Sequence, residues 1–172
     1  ENNISLMIEY GYKHGAIGVL NTNWGDWGNP CSVEMALYGM LLGAEKSWSV
    51  ATQVGEAFDT CVNFHLYENG SGVQYLRELS RLHDKINWRF FCQRYFLDRF
   101  GNEKELGEAF EGDTTEFQKQ CAELLEQVKA ELSFNEAYRD EMIIAIQGIC
   151  LMVELYSGRM GRKVDRTVST EE

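Results

Sequence analysis

Apolar residues recur at helical spacing over most of the chain, and the departures from that spacing mark its organisation. Near the start, Ile4, Met7 and Ile8 form a stripe behind the capping run Asn3-Ile4-Ser5, and Gly15 after His14 supplies a stop. The pattern then changes. Ala16-Ile17-Gly18-Val19-Leu20-Asn21 is a brief apolar run without polar alternation, which predicts one short strand buried on both faces. A buried strand needs partners for the hydrogen-bonding groups on both its edges, so this run implies neighbouring strands that the chain does not place anywhere obvious.

The stretch Thr22 to Cys31, TNWGDWGNPC, reads as a glycine-rich loop, with Ser32 capping a helix that carries Val33, Met35, Ala36, Leu37, Met40 and Leu41. Strand, loop and helix make half of a βα repeat. After Trp48-Ser49 the remainder reads as helices separated by polar breaks at 68–72, 100–102 and 111–113. Thr114-Thr115-Glu116 opens a helix with Phe117, Cys121, Leu124, Leu125, Val128 and Leu132. Asn135 opens another with Met142, Ile143, Ile146, Ile149, Cys150 and Val153, and the two are expected to pair antiparallel. The predicted fold is therefore mainly α. One short buried strand plus a helix, at the end of a (β/α)8 barrel, occupies residues 1–49, and a bundle-like helical region follows over 50–172.

Composition narrows the function classes. A chain of 172 residues can bury a core but cannot hold a complete barrel enzyme, which takes about 250 residues. One proline and 44% hydrophobic residues fit a folded helical protein rather than a disordered polymer. Sixteen basic against twenty-seven acidic residues give a net charge of -11, so no basic face invites nucleic acid or anionic lipid. The longest apolar runs, MALYGMLLGA and MIIAIQGICLMV, fall short of the roughly 20 residues of a membrane span. No signal peptide is visible. The absent initiator methionine and the cap-like Ser169-Thr170-Glu171-Glu172 suggest a piece cut at both ends. The five cysteines, Cys31, Cys61, Cys92, Cys121 and Cys150, lack metal-ligand spacing and are expected to be reduced thiols, four of them set among apolar helical residues; this favours a cytoplasmic location.

The loop carries the most chemistry. Trp24 and Trp27 flank Asp26 at the carboxyl end of the predicted strand, which is where barrels assemble their sites. A tryptophan face stacks on the carbon side of a sugar ring and a carboxylate accepts from its hydroxyls; the stretch Trp24-Gly25-Asp26-Trp27 also suits a purely structural turn under a barrel rim. In residues 16–49 the chain resembles the family 20 glycoside hydrolases, retaining β-N-acetylhexosaminidases. That family's barrel ends on a Trp-Gly-Glu type motif and then a helix closing on Ala-Glu-Arg-x-Trp-Ser. This chain offers Trp24-Gly25-Asp26 and Ala44-Glu45-Lys46-Ser47-Trp48-Ser49. The resemblance implies that Trp24 walls a terminal-sugar pocket and that Asp26 binds the sugar's outer hydroxyls, while Glu45 and Trp48 belong to the structural end of the helix. Asp26 is one methylene shorter than the usual Glu, and Trp27, the third candidate substrate contact, has no counterpart.

The resemblance further implies substrate-assisted hydrolysis of a terminal N-acetylhexosamine, with an Asp orienting the acetamide and the neighbouring Glu protonating the leaving oxygen. No catalytic residue, metal ligand or cofactor site is expected within this chain. Asp140-Glu141 is its one adjacent Asp-Glu, and it reads as a solvated helix face. His14, His65 and His83 are far apart, suiting surface or helix-terminal roles. Trp88, Phe91, Tyr95 and Phe96 fall at helical spacing and suit core packing, and Gly39-x-x-x-Gly43 suits close steric approach. The expected partners are a glycan and the remainder of a catalytic barrel, without nucleic acid or membrane. The competing reading is a free-standing helical interaction module whose WGDW loop is only structural.

Overall fold

The computed structural model describes residues 2–23, 32–51, 55–68, 70–88, 91–92, 110–133 and 135–159. Its first helix, α1 (Asn2–Lys13), stops at Gly15, whose φ of 74° is the left-handed conformation that glycine takes without strain. Ala16 N–H reaches back to Gly11 O at 2.9 Å and Gly15 N–H to Tyr12 O at 3.2 Å, the paired closure that satisfies the last carbonyls of a helix.

The expected strand over 16–21 is not seen. The segment is irregular, pairs with no strand, and leaves Ile17 109%, Val19 48% and Leu20 86% exposed. The physical reason is the one that made the strand need neighbours: a lone extended run has unpaired backbone on both edges and gains nothing by becoming a strand. Among the described residues the only ladder-like pairing is a single antiparallel bridge between Ile86 and Phe110.

Helix α2 (Val33–Trp48) begins as expected on Ser32, whose Oγ accepts from Met35 N–H at 3.4 Å. It packs against α1 and against the long C-terminal helix. Helix α3 (Glu56–Val62) runs into one π-helical turn over Asn63–Tyr67 and ends at Glu68, whose φ is 42°. Asn63 explains how the chain turns there. Its Oδ1 accepts from Val73 N–H at 2.8 Å and its Nδ2 donates to Gly70 O at 2.9 Å, so one buried amide caps the next helix, α4 (Gly72–His83). Gly72 is required at that point, because a Cβ there would run into the ring of Tyr67.

The core is built where α5 (Thr114–Glu131) and α6 (Glu136–Arg159) pack on one another and on α4. Asp113 caps α5 through Glu116 N–H at 2.8 Å. Phe117, Cys121, Leu124 and Val128 face Met142, Ile146, Ile149 and Val153, all buried, as the helical spacing predicts for an antiparallel pair. Phe91 is buried, and Trp88 stacks on it with ring centres 6.0 Å apart. Cys61 departs from expectation: it is exposed, on the outer side of α3.

Candidate functional site

Both ends of the tryptophan loop are tied to α2. At the entrance, Asn21 Nδ2 donates to Gly39 O at 2.9 Å, and a Cβ on Gly43 would collide with that same amide. Gly43 therefore admits the incoming chain, while Gly39 supplies the carbonyl that holds it and a Cβ there would sit in ordinary contact with Ile4 of α1. At the exit, Ser32 closes on the first turn of α2. The loop thus leaves beside the middle of the helix and returns to its N-terminus. The three candidate sugar contacts, Trp24, Asp26 and Trp27, lie outside the described residues.

The other end of α2 carries the second half of the resemblance. Lys46 is only 3% exposed; its Nζ donates to Glu9 Oε1 at 2.9 Å and to Val50 O at 3.0 Å, which joins α2 to α1 and to the chain beyond. Ser47 Oγ donates to Gly43 O at 2.6 Å, and Ser49 N–H to Glu45 O at 2.9 Å. Trp48 is 93% exposed. The motif's polar residue is thus inside and its aromatic residue outside, the reverse of ordinary partitioning.

A polar cluster that spacing did not reveal links α2 to the helices that follow. Tyr38 OH donates to Asp59 Oδ1 at 2.9 Å and accepts from Arg77 Nη2 at 2.8 Å, while Arg77 also grips both carboxylate oxygens of Asp59. Burial alone would raise the Asp59 carboxyl. The hydrogen bonds from Arg77 and Tyr38, with the Arg77 charge, outweigh it and hold Asp59 below the ordinary carboxylate value. A carboxylate held this way is ionised and fully engaged, which suits joining α2, α3 and α4 rather than moving protons. Residues 18 to 39 positions apart in no common motif leave no periodic signature.

Two grooves lie along α2 and α4, the first of them bordered by this cluster. One of about 260 Å³ is lined by Tyr38, Gly39, Val73, Leu76 and Arg77. The other, also about 260 Å³, is walled by Met35, Leu79, Ile144, Ile149 and Met152, with His83 at its side. Neither brings two carboxylates together. Asp140 sits on the outer face of α6 with its side chain 59% exposed, bound to Arg139 at 2.9 Å. His14 and His65 are exposed and His83 ends α4. Among the described residues there is no cluster of three His, Cys, Asp or Glu able to hold a metal ion, and no helix is long and apolar enough to cross a membrane.

Comparison with known proteins returns no match: no family profile, curated protein or solved structure is significantly similar to the chain.

Proposed function

We propose that the chain is the C-terminal part of a glycosidase that removes terminal N-acetylhexosamine. In this reading, residues 1–49 close a (β/α)8 barrel and residues 50–172 form a helical region behind it. Trp24 and Trp27 provide flat walls for the sugar, and Asp26 accepts from its outer hydroxyls. The acid and the group that orients the acetamide belong to the rest of the barrel, so the chain supplies part of the substrate pocket and none of the proton transfer.

The observation that carries this reading is an apolar stripe on α2 that the described residues leave largely exposed. Val33, Leu37, Leu41, Ala44 and Trp48 follow one another at three- and four-residue steps on one face; Val33 is 73%, Leu41 37% and Trp48 93% exposed. The preceding segment exposes Ile17, Val19 and Leu20 as well. A helix and a preceding segment that both expose apolar side chains, joined by an aromatic and acidic loop, fit the last unit of a barrel taken without its neighbouring strands.

The test is an assay on an aryl N-acetyl-β-glucosaminide, run on this chain alone and on the protein translated with its flanking coding sequence. The long form should turn over and the short form should not. In the long form Asp26→Asn should lower kcat/KM by the worth of a charge-assisted hydrogen bond, about 1.5–3 kcal/mol of transition-state stabilisation, with unchanged melting. Trp24→Ala should lower it further. A long form without turnover, or active variants with undiminished kcat/KM, would remove the sugar site and favour the free-standing interaction module.

A further inference from the structure

Helix α4 lays a row of hydrogen-bond donors along the two grooves it shares with α2 and α6. Arg77, Ser80 and His83 follow one another at three-residue steps, which sets them along one side of the helix over about 9 Å. Met35, Leu76 and Ser80 line both grooves, so the two are neighbouring stretches of one. The chain has 27 acidic residues, yet among the described residues no Asp or Glu lines either stretch, while Arg77 and His83 do. Arg77 is already paired with Asp59, which leaves Ser80 and His83 as the spare donors. One bond there is unmet: Nε2 of half-buried His83 is shut off from solvent and has no hydrogen-bond partner, a cost that calls for an explanation. Across the groove, Gly148 sits inside α6, where a Cβ would meet nothing within 4 Å. The packing of the chain does not require glycine there, and glycine costs a helix stability relative to alanine; what it supplies is depth to the groove.

We propose that this groove binds a medium-chain fatty acid. Its carboxylate accepts from Ser80 Oγ–H and from the ring N–H of His83, which reaches it by a turn about the broad Cβ–Cγ torsion. Its aliphatic tail crosses from α4 to α6 over Gly148, against Met35, Leu79, Ile149 and Met152. A carboxylate suits the row because it only accepts, and the groups it meets donate. A groove lined by Arg77 and His83 without Asp or Glu also lowers the repulsion that a chain of net charge -11 presents to an anion elsewhere. The walls beside His83 are aliphatic and thioether side chains with no Phe, Tyr or Trp among them, which suits a flexible chain better than a flat ring. None of these residues belongs to the tryptophan loop, so the site stands or falls apart from the sugar reading.

The experiment titrates the purified chain with octanoate, below its micelle concentration, by isothermal titration calorimetry, and repeats the titration with octanol, which has the same tail and an uncharged head. One octanoate should bind per chain, and octanol should bind roughly tenfold to hundredfold more weakly, the worth of a hydrogen bond to a charged group. His83→Phe keeps the bulk of the ring and should bring octanoate down towards the level of octanol without lowering the melting temperature, since it removes an unpaired buried nitrogen rather than a bond. Gly148→Leu fills the groove where the chain leaves open space; it should abolish binding of both compounds with melting unchanged or raised. Octanoate binding undiminished in Gly148→Leu, equal binding of octanoate and octanol to the wild-type chain, or no binding at all would each overturn the proposal. Sedimentation over a range of protein concentrations adds one more outcome: a dimer that Gly148→Leu disperses would give the groove to a second copy of the chain and overturn it as well.

Discussion

Helices α2 and α6 are both rich in apolar residues, yet they use them in opposite ways. The face that α6 buries is Met142, Ile146, Ile149 and Val153; the face that α2 buries is Tyr38, Leu42, Gly43 and Lys46. So α2 hides a lysine while Trp48 stands in solvent. Of the fourteen large hydrophobic side chains exposed among the described residues, ten belong to residues 2–48, although that region is the shorter one. Apolar atoms make up much of any protein surface, but Val33, Leu41 and Trp48 on one helix beside exposed Ile17, Val19 and Leu20 are more than scattered single residues. Helices α4, α5 and α6 bury their main apolar faces against each other, whereas α2 buries one side and exposes Val33, Leu41 and Trp48 on another. Lys46 is tolerated inside because its charge meets Glu9 and the Val50 carbonyl.

The contrast is sharpest where a core side chain is cut. Ile146 is fully buried, so Ile146→Ala should destabilise the protein by about 2–5 kcal/mol, read as a shifted denaturation midpoint at unchanged slope. An unshifted midpoint would mean that the α5–α6 core does not hold the helical region together.

Next in size is the joint between the two regions. Asp59→Asn should cost about 1–2 kcal/mol at neutral pH, because the lost charge weakens its bonds to Arg77 and Tyr38 while partial exposure limits the loss. The pH dependence has a definite sign. The folded-state value of Asp59 lies below its unfolded value of 3.8, so the stabilisation is complete above that pH and is lost as the pH falls through the lower folded value. Unfolding curves collected downward from pH 5 should therefore converge for wild type and Asp59→Asn under strongly acidic conditions. A gap that stays constant to the acid limit would show that the carboxylate's charge contributes nothing to the joint.

What was legible in the sequence follows the same division. The helical region could be read from spacing, because an amphipathic face that meets another leaves its period in the residues themselves: Phe117 to Val128 and Met142 to Val153 are inside as their three- and four-residue steps require. Ser32 and Gly15 announced their helix ends through local chemistry, which needs no partner. The run 16–21 misled for a physical reason: apolar content records a demand for burial, and strand geometry arises only when paired edges meet that demand. The Asn63 cap and the Tyr38–Asp59–Arg77 joint were invisible, since each depends on residues brought together by folding rather than by spacing. As for the loop, its residue types pointed to a sugar and its anchors on α2 are now defined, while Trp24, Asp26 and Trp27 lie outside the described residues.

The smallest expected effect separates the two regions most cleanly. In this chain Val33 and Trp48 are 73% and 93% exposed at the first and last positions of α2, and neither side chain makes the cap bonds, so Val33→Ser and Trp48→Ser should each change stability by no more than about 0.5 kcal/mol. Serine is close to valine and tryptophan in helix propensity, which keeps the backbone contribution small. If the stripe is covered in the longer protein, the same two substitutions there remove buried apolar area and should cost about 1.5–3 kcal/mol apiece, the worth of burying one large apolar side chain. Near-zero effects in the short chain with substantial ones in the long chain would locate the missing partner on α2. Equal and small effects in both would leave the stripe facing solvent in the longer protein too, and the case for a barrel neighbour would rest on the loop alone.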